Sequence, residues 1–262
     1  MPRFAANLSL MFTEVPFLER FEAAARAGFR SVEFQFPYAW PAPEIRRRLD
    51  ANGLDLAMFN LPPGDWDAGE RGLAVFPGRC GEFRAALGLG LQYADLLQVR
   101  LLHVMAGVPG VHDDRDAARR TYLDNLREAA AMAATRGITL LIEPLNRRDN
   151  PGYFLHGCDQ AAAVIADAGV DNLRLQFDFY HTQISEGDLA TRLEQHFAII
   201  GHVQVAGVPG RHEPDEGEVN YPWLFRLLDA WGYAGQVGCE YRPRGNTVDG
   251  LGWLRGVSRL GE

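Results

Sequence analysis

The sequence predicts an α/β protein: a (β/α)8 TIM barrel occupying residues 1–262 as one domain. Three observations carry that expectation. Short apolar or β-branched runs alternate eight times with amphipathic stretches, the pattern of a parallel sheet with crossover helices. The length of 262 residues suits one barrel, a fold that routinely runs to about 250 residues as a single unit. The rival, a doubly wound sheet, usually carries a glycine-rich phosphate turn after its first strand. Here the first strand runs into Met11-Phe12-Thr13-Glu14, with no glycine.

In order, residues 4–10 read as the first strand and 14–27 as a helix, with Thr13 as a cap and Gly28 just beyond its end. Residues 31–36 form the second strand, 43–51 a helix closed by Gly53, and 54–61 the third strand. The segment 62–78, rich in Gly, Pro and Trp, reads as an ordered loop lying over something. Residues 82–97 are helical despite Gly88 and Gly90, and 100–105 form the fourth strand. The helix over 115–136 is the clearest, with Leu123, Leu126, Ala130 and Ala133 on one face.

Thr139–Leu145 is a continuous apolar run broken only by Glu143, which fits a parallel strand buried on both faces. Pro144 restricts Glu143 to extended backbone, so its carboxylate is aimed. The remaining units are helix 159–168, strand 173–179, helix 188–197, strand 200–206, helix 221–231 capped by Asn220, strand 236–241, and a closing helix over 247–260.

Composition narrows the function. The chain is 47% hydrophobic with a net charge of −8 and a pI near 5.4, which argues against a nucleic-acid surface. No apolar run reaches the roughly 18 residues of a membrane span, and the N-terminus makes a poor secretory signal. Cys80, Cys158 and Cys239 form neither a CxxC pair nor a disulfide framework, so the expected compartment is a reducing cytoplasm.

A barrel keeps its active site at the carboxyl ends of the strands, where side chains alternate in and out. Glu143, Asp178, Gln204 and Glu240 each end one of four consecutive strands, and the expectation is that they share one level. Three converging carboxylates repel unless one stays protonated or a cation joins them. Three carboxylate oxygens and an amide oxygen form a hard site for one divalent ion, Mg²⁺ or Mn²⁺, whereas zinc would want His or Cys. The bland alternative is four separate salt bridges to Arg147, Arg148, Arg174 or Arg242.

That set, with ANLSL and VEF near the start, NLPPGDWDAGERG at 60–72, LLIEP at 140–144, HVQVAGVPGRHEPDEGEVNY at 202–221 and GCEY at 238–241, resembles the xylose isomerase-like barrels, and within them the hydroxypyruvate isomerase group. The resemblance covers essentially the whole chain. Gln204 stands where related epimerases and endonucleases usually carry a His, which favours the isomerases. The resemblance implies reversible conversion of hydroxypyruvate to tartronate semialdehyde, or the same chemistry on a 2-oxo-tetronate. It places proton transfer on Glu143 and Glu240, with the cation polarising the carbonyl and stabilising an enediolate.

Around this set, His181 suits a hydrogen bond to a substrate oxygen, or is a plain loop histidine. Arg211 suits a substrate carboxylate, because guanidinium matches it bidentately, and Arg71 suits the same task. Asn7 and Glu33 either line the floor or form a buried hydrogen-bonded pair. His103 reads as a core histidine, His196 and the Trp223–Trp231 face as structural, and Cys239 as a small apolar residue facing the helices. The expected partner is a small hydroxy-keto acid, with no nucleic acid and no membrane; a homo-oligomer stays open. The competing readings are a ketose 3-epimerase, a metal-dependent nuclease and a sugar-sensing barrel without turnover.

Overall fold

The computed structural model describes residues 2–257. Among these residues nine strands make up one sheet: β1 (Arg3–Asn7), β2 (Ser31–Glu33), β3 (Asp55–Leu56), β4 (Phe59–Asn60), β5 (Leu101–His103), β6 (Thr139–Ile142), β7 (Leu173–Asp178), β8 (Ile200–Val205) and β9 (Gln236–Cys239). All neighbours are parallel, in the order β3-β2-β1-β9-β8-β7-β6-β5-β4.

The two ends of that order, β3 and β4, are separated in the chain only by Ala57 and Met58. One continuous segment therefore pairs with β2 on one side and β5 on the other, which closes the barrel. Ala57 N donates to Val32 O at 2.8 Å, and Leu61 N donates to His103 O at 2.9 Å. The expected third strand is thus one run that changes partner halfway. Tilted, staggered strands leave it no other way to serve both edges.

The helices are α1 (Arg20–Arg26), α2 (Ala42–Asn52), α3 (Cys80–Leu97), α4 (Arg115–Ala134), α5 (Cys158–Ala168), α6 (Phe179–Ser185), α7 (Leu189–His196), α8 (Tyr221–Ala230) and α9 (Leu254–Val257). Their caps follow the sequence where the chemistry is local. Gly53 ends α2 in the left-handed region at φ 61°, and Asn220 accepts from Trp223 N at the start of α8. Gly90 inside α3 is a packing requirement, since a Cβ there would stand 2.2 Å from Leu61 Cδ2.

Four expectations shift. The first strand stops at Asn7, and the first helix opens with a 3-10 turn at Phe17–Glu19 without a Thr13 cap. The strand ending at Asp178 runs straight into α6, which the alternating FDFYH pattern conceals. The closing helix is a 3-10 turn at Asp249–Trp253 followed by α9, and the rest of that expectation, 258–260, lies outside the described residues. Finally, the strand-end polar residues do not lie at one level. Asp178 pairs with Gln204 and Gln204 with Gly238, so Glu240 stands two residues further up its strand. The register of β6 and β7, carried one step beyond Ile142 and Leu175, sets Glu143 beside Gln176. Barrel shear, which staggers neighbouring strands, turns the expected ring into a rising spiral.

Outward residues such as Phe177, Val203, Val205 and Cys239 are buried in the layer between strands and helices. Phe177 meets Phe179 edge-on at 5.1 Å, and Phe179 meets Tyr221 of α8 at 5.9 Å. No described helix is long and apolar enough to cross a membrane.

Candidate active site

Glu143, Asp178, Gln204 and Glu240 are all buried at the carboxyl end of the barrel. β6 ends one residue before Glu143, whose Oε2 accepts from Gln176 Nε2 at 3.0 Å. Its Oε1 is buried with no hydrogen-bond partner. Asp178 serves two elements at once. Its Oδ1 accepts from Tyr180 N at 2.7 Å and so caps α6, while its Oδ2 is buried and unpartnered by hydrogen bonds. Glu240 accepts from Gln35 Nε2 at 3.0 Å on Oε1 and from Arg211 Nη2 at 2.6 Å on Oε2.

Burial raises the pKa of all three carboxyls. For Glu143 the nearby Glu240 and Asp178 charges push the same way, and for Asp178 and Glu240 the Arg211 guanidinium pulls back.

Arg211 comes from the loop after β8. Its backbone is left-handed at φ 56°, its N donates to Gly207 O at 2.7 Å, and its O accepts from Arg242 N at 2.9 Å. Gly207 and Gly217 let this loop fold on itself: a Cβ would stand 2.4 Å from Glu213 O at the first and 2.1 Å from Val208 O at the second. The guanidinium lies over the Tyr180 ring at 4.9 Å, with Nη2 3.9 Å from Asp178 Oδ2.

His181, on α6, has a fixed hydrogen-bond sense. Its Nδ1 faces Asn146 N at 3.1 Å and Asn146 Nδ2 at 2.7 Å. A backbone N–H can only donate, so Nδ1 accepts and the proton sits on Nε2, which lies 3.7 Å from Asp178 Oδ2. Burial and the Arg211 charge hold the ring well below its usual pKa, so it is neutral. Ligand atoms of Glu143, Asp178 and His181 lie within 4.8 Å of one another. The two carboxylates have free buried oxygens for a cation, whereas His181 offers a proton rather than a lone pair. Unpartnered buried carboxylate oxygens and a neighbouring amide oxygen fit a hard divalent ion.

Above the carboxylates opens a cavity of about 540 Å³, whose lining includes Arg71, Arg148, Arg211 and Arg242 together with Gln35, Trp66 and Tyr180. Arg71 stacks on Trp66 at 3.6 Å and donates to Trp66 O and Glu70 O. Its loop is anchored where Gly72 bridges to Ala106, and a Cβ on Gly72 would stand 2.2 Å from Met105 O. Arg148 crosses the mouth, donating to Tyr180 OH at 2.8 Å and Pro209 O at 3.0 Å.

A family model described as "Xylose isomerase-like TIM barrel" matches residues 21–257. The chain belongs to the xylose isomerase-like TIM barrel family. Within it the chain is 57% identical to 2-oxo-tetronate isomerase of Cupriavidus necator, covering 97% of this chain and 98% of that one. It is 44% identical to hydroxypyruvate isomerase of Escherichia coli over the same shares. A solved structure from Brucella melitensis, named AP endonuclease, family 2, superposes with a TM-score of 0.96 at 51% identity, covering 98% of this chain and 99% of that one. D-psicose 3-epimerase, at 18% identity and a TM-score of 0.78, shares the fold. This family member is an isomerase.

Sequence reasoning missed several residues of the site. Gln176 lies two residues before Asp178 and Gln35 two after Glu33, so the period-two rule would have found both. Asn146 and Tyr180 had no such signal, because loop and helix backbones bring them in. His103 is buried as expected, but both its nitrogens lack hydrogen-bond partners and Nδ1 lies 3.7 Å from Glu143 Oε2, so it belongs to the floor of the site.

Proposed function

We infer that the chain isomerises short 2-oxo acids, moving the carbonyl from C2 to the neighbouring hydroxyl-bearing C3 and back through an enediolate. One observation carries this. Arg211 places its guanidinium between the buried carboxylates and an arginine-lined cavity, where an acid's carboxylate and its reacting carbons must both find partners. A neutral ketose has no use for that arrangement.

Glu143 and Glu240 are the proton carriers: one removes the proton from C3 and the other delivers one to C2, while a hydroxyl proton passes between the two oxygens. Burial raises the pKa of both carboxyls, which suits groups that must both take and give a proton. His181 donates Nε2–H to a substrate oxygen, and Arg211, helped by Arg71, holds the carboxylate. Glu143 Oε1, Asp178 Oδ2, Gln204 Oε1 and Glu240 would hold one Mg²⁺ or Mn²⁺. That ion supplies electrophilic polarisation of the substrate oxygens.

The substrate we place first is a 2-oxo-tetronate, after the 57% identical relative, with hydroxypyruvate second. The test is turnover by purified enzyme with Mg²⁺ or Mn²⁺ on 2-oxo-tetronate, hydroxypyruvate, a neutral ketose and DNA bearing an abasic site. The reading requires an acid to be the best substrate. A net charge of −8 opposes the nuclease alternative, and faster turnover of the DNA or the ketose would overturn ours.

A further inference from the structure

Glu33 ends β2 and is fully buried, yet it has no part in the reaction as drawn above. Its carboxylate gathers three side-chain partners: His202 Nε2 at 2.7 Å on Oε2, with Gln204 Nε2 at 2.8 Å and Asn7 Nδ2 at 3.0 Å on Oε1. The barrel makes room for it. A Cβ at Gly238 would stand 2.3 Å from Oε2 and 2.4 Å from Oε1, and Gly238 pairs in register with Gln204.

The direction of the surrounding hydrogen bonds follows from this one group. A carboxylate only accepts, so Gln204 must turn its NH2 to Glu33 and its Oε1 away. That oxygen accepts from Gln176 Nε2 at 2.6 Å, and the same Nε2 reaches Glu143 Oε2 at 3.0 Å. On the other side Asn7 Nδ2, held by Glu33, also faces Glu240 Oε1 at 3.5 Å. One buried carboxylate therefore orients the amides that lead to both glutamates.

We propose that Glu33 is a positioning residue that presents Gln204 Oε1 to the site's divalent cation, and that Gly238 is the gap that admits it. The proposal rests on the metal-dependent reading above. A glutamine at position 33 has the same shape but can donate as well as accept, so Gln204 no longer has a reason to keep its oxygen turned away.

The experiment is Mn²⁺ titration by calorimetry of wild type and Glu33→Gln, with melting temperature in chelator as a folding control. The expected result is Mn²⁺ affinity lower by about 10- to 100-fold, the usual effect of losing a partner behind a metal ligand. The variant Glu33→Asp keeps a group that only accepts but loses length, whereas Glu33→Gln keeps the shape; Glu33→Asp should therefore retain more Mn²⁺ affinity than Glu33→Gln, and a mere packing role would order the two the other way. If Glu33→Gln does not fold, Gly238→Ala keeps every polar group while displacing the carboxylate, and should show the same loss. Unchanged Mn²⁺ affinity in either folded variant overturns the proposal, as does failure of both to fold, which would make Glu33 a folding residue. Wild type that binds no Mn²⁺ overturns the metal-dependent reading instead.

Discussion

Arg211 Nη2 lies 2.6 Å from Glu240 Oε2, in a charge-assisted hydrogen bond with both side chains largely buried. The loop cation and the strand-end carboxylate are thus one unit, and on the reading proposed above a substrate acid would share the guanidinium with Glu240. Arg211→Lys keeps the charge but loses the planar fork. Its KM for a 2-oxo acid should rise roughly 10- to 150-fold, the equivalent of about 1.5–3 kcal/mol for hydrogen bonds to a charged group. Steady-state kinetics on 2-oxo-tetronate measures this, and an unchanged KM removes Arg211 from carboxylate binding.

The two glutamates should be separable by isotope. Glu143→Gln and Glu240→Gln keep an amide oxygen for the metal but cannot carry a proton. Each should lower turnover by about 10²–10⁴-fold at saturating metal. Exchange of the carbon-bound proton with deuterated solvent should survive in one of them while net isomerisation is lost in both. Near wild-type isomerisation in either metal-loaded variant leaves that residue as a ligand only.

Asp178 divides its oxygens between a helix cap and the site. Asparagine is as good an N-cap as aspartate. Asp178→Asn should therefore melt close to wild type in chelator yet bind Mn²⁺ far more weakly, and chelation should abolish wild-type turnover. Unchanged Mn²⁺ affinity in Asp178→Asn contradicts the first statement, and full activity of metal-stripped enzyme the second.

Burial, then the Glu240 and Asp178 charges, hold the Glu143 carboxyl well above the usual carboxylate range. A folded-state pKa above the unfolded one means that folding favours the protonated form. That contribution is complete below about pH 4.3, the unfolded value, and is lost as pH rises through the folded one. In chelator, Glu143→Gln, which cannot ionise, should gain stability over wild type at pH 8, and the gap should close toward pH 5. Melting curves at pH 5, 6.5 and 8 decide; a constant offset refutes the assignment.

Trp66 carries Arg71 on its ring, and Phe36 lies against it at 5.0 Å. An exposed cation–π contact contributes about 0.5–1 kcal/mol, so Trp66→Ala should raise KM by roughly 2- to 5-fold through a loosened Arg71. Replacing residues 62–78 by a short turn should cost more, because it removes Trp66 and Arg71 from the cavity together. Unaltered kinetics in the shortened enzyme would show it to be a surface excursion.

The sequence by itself determined the barrel and pointed to the strand-end polar residues of the candidate site. Strand and helix runs are local patterns, and Glu143, Asp178, Gln204 and Glu240 announce themselves because a lone polar residue at the end of an apolar run has no cheap way to be buried. Gly53 and Asn220 were equally legible, since a cap depends on its own few residues. Tertiary structure alone decided the rest. The stagger that lifts Glu240 above Gln204, the β3–β4 hand-over that closes the sheet, and the meeting of Asn146 with His181 all depend on how distant strands are offset. The same holds for Glu33, whose three partners come from β1 and β8 and whose space comes from a missing side chain on β9. Side-chain alternation says which face a residue takes; only barrel shear says which residue of the next strand it will meet.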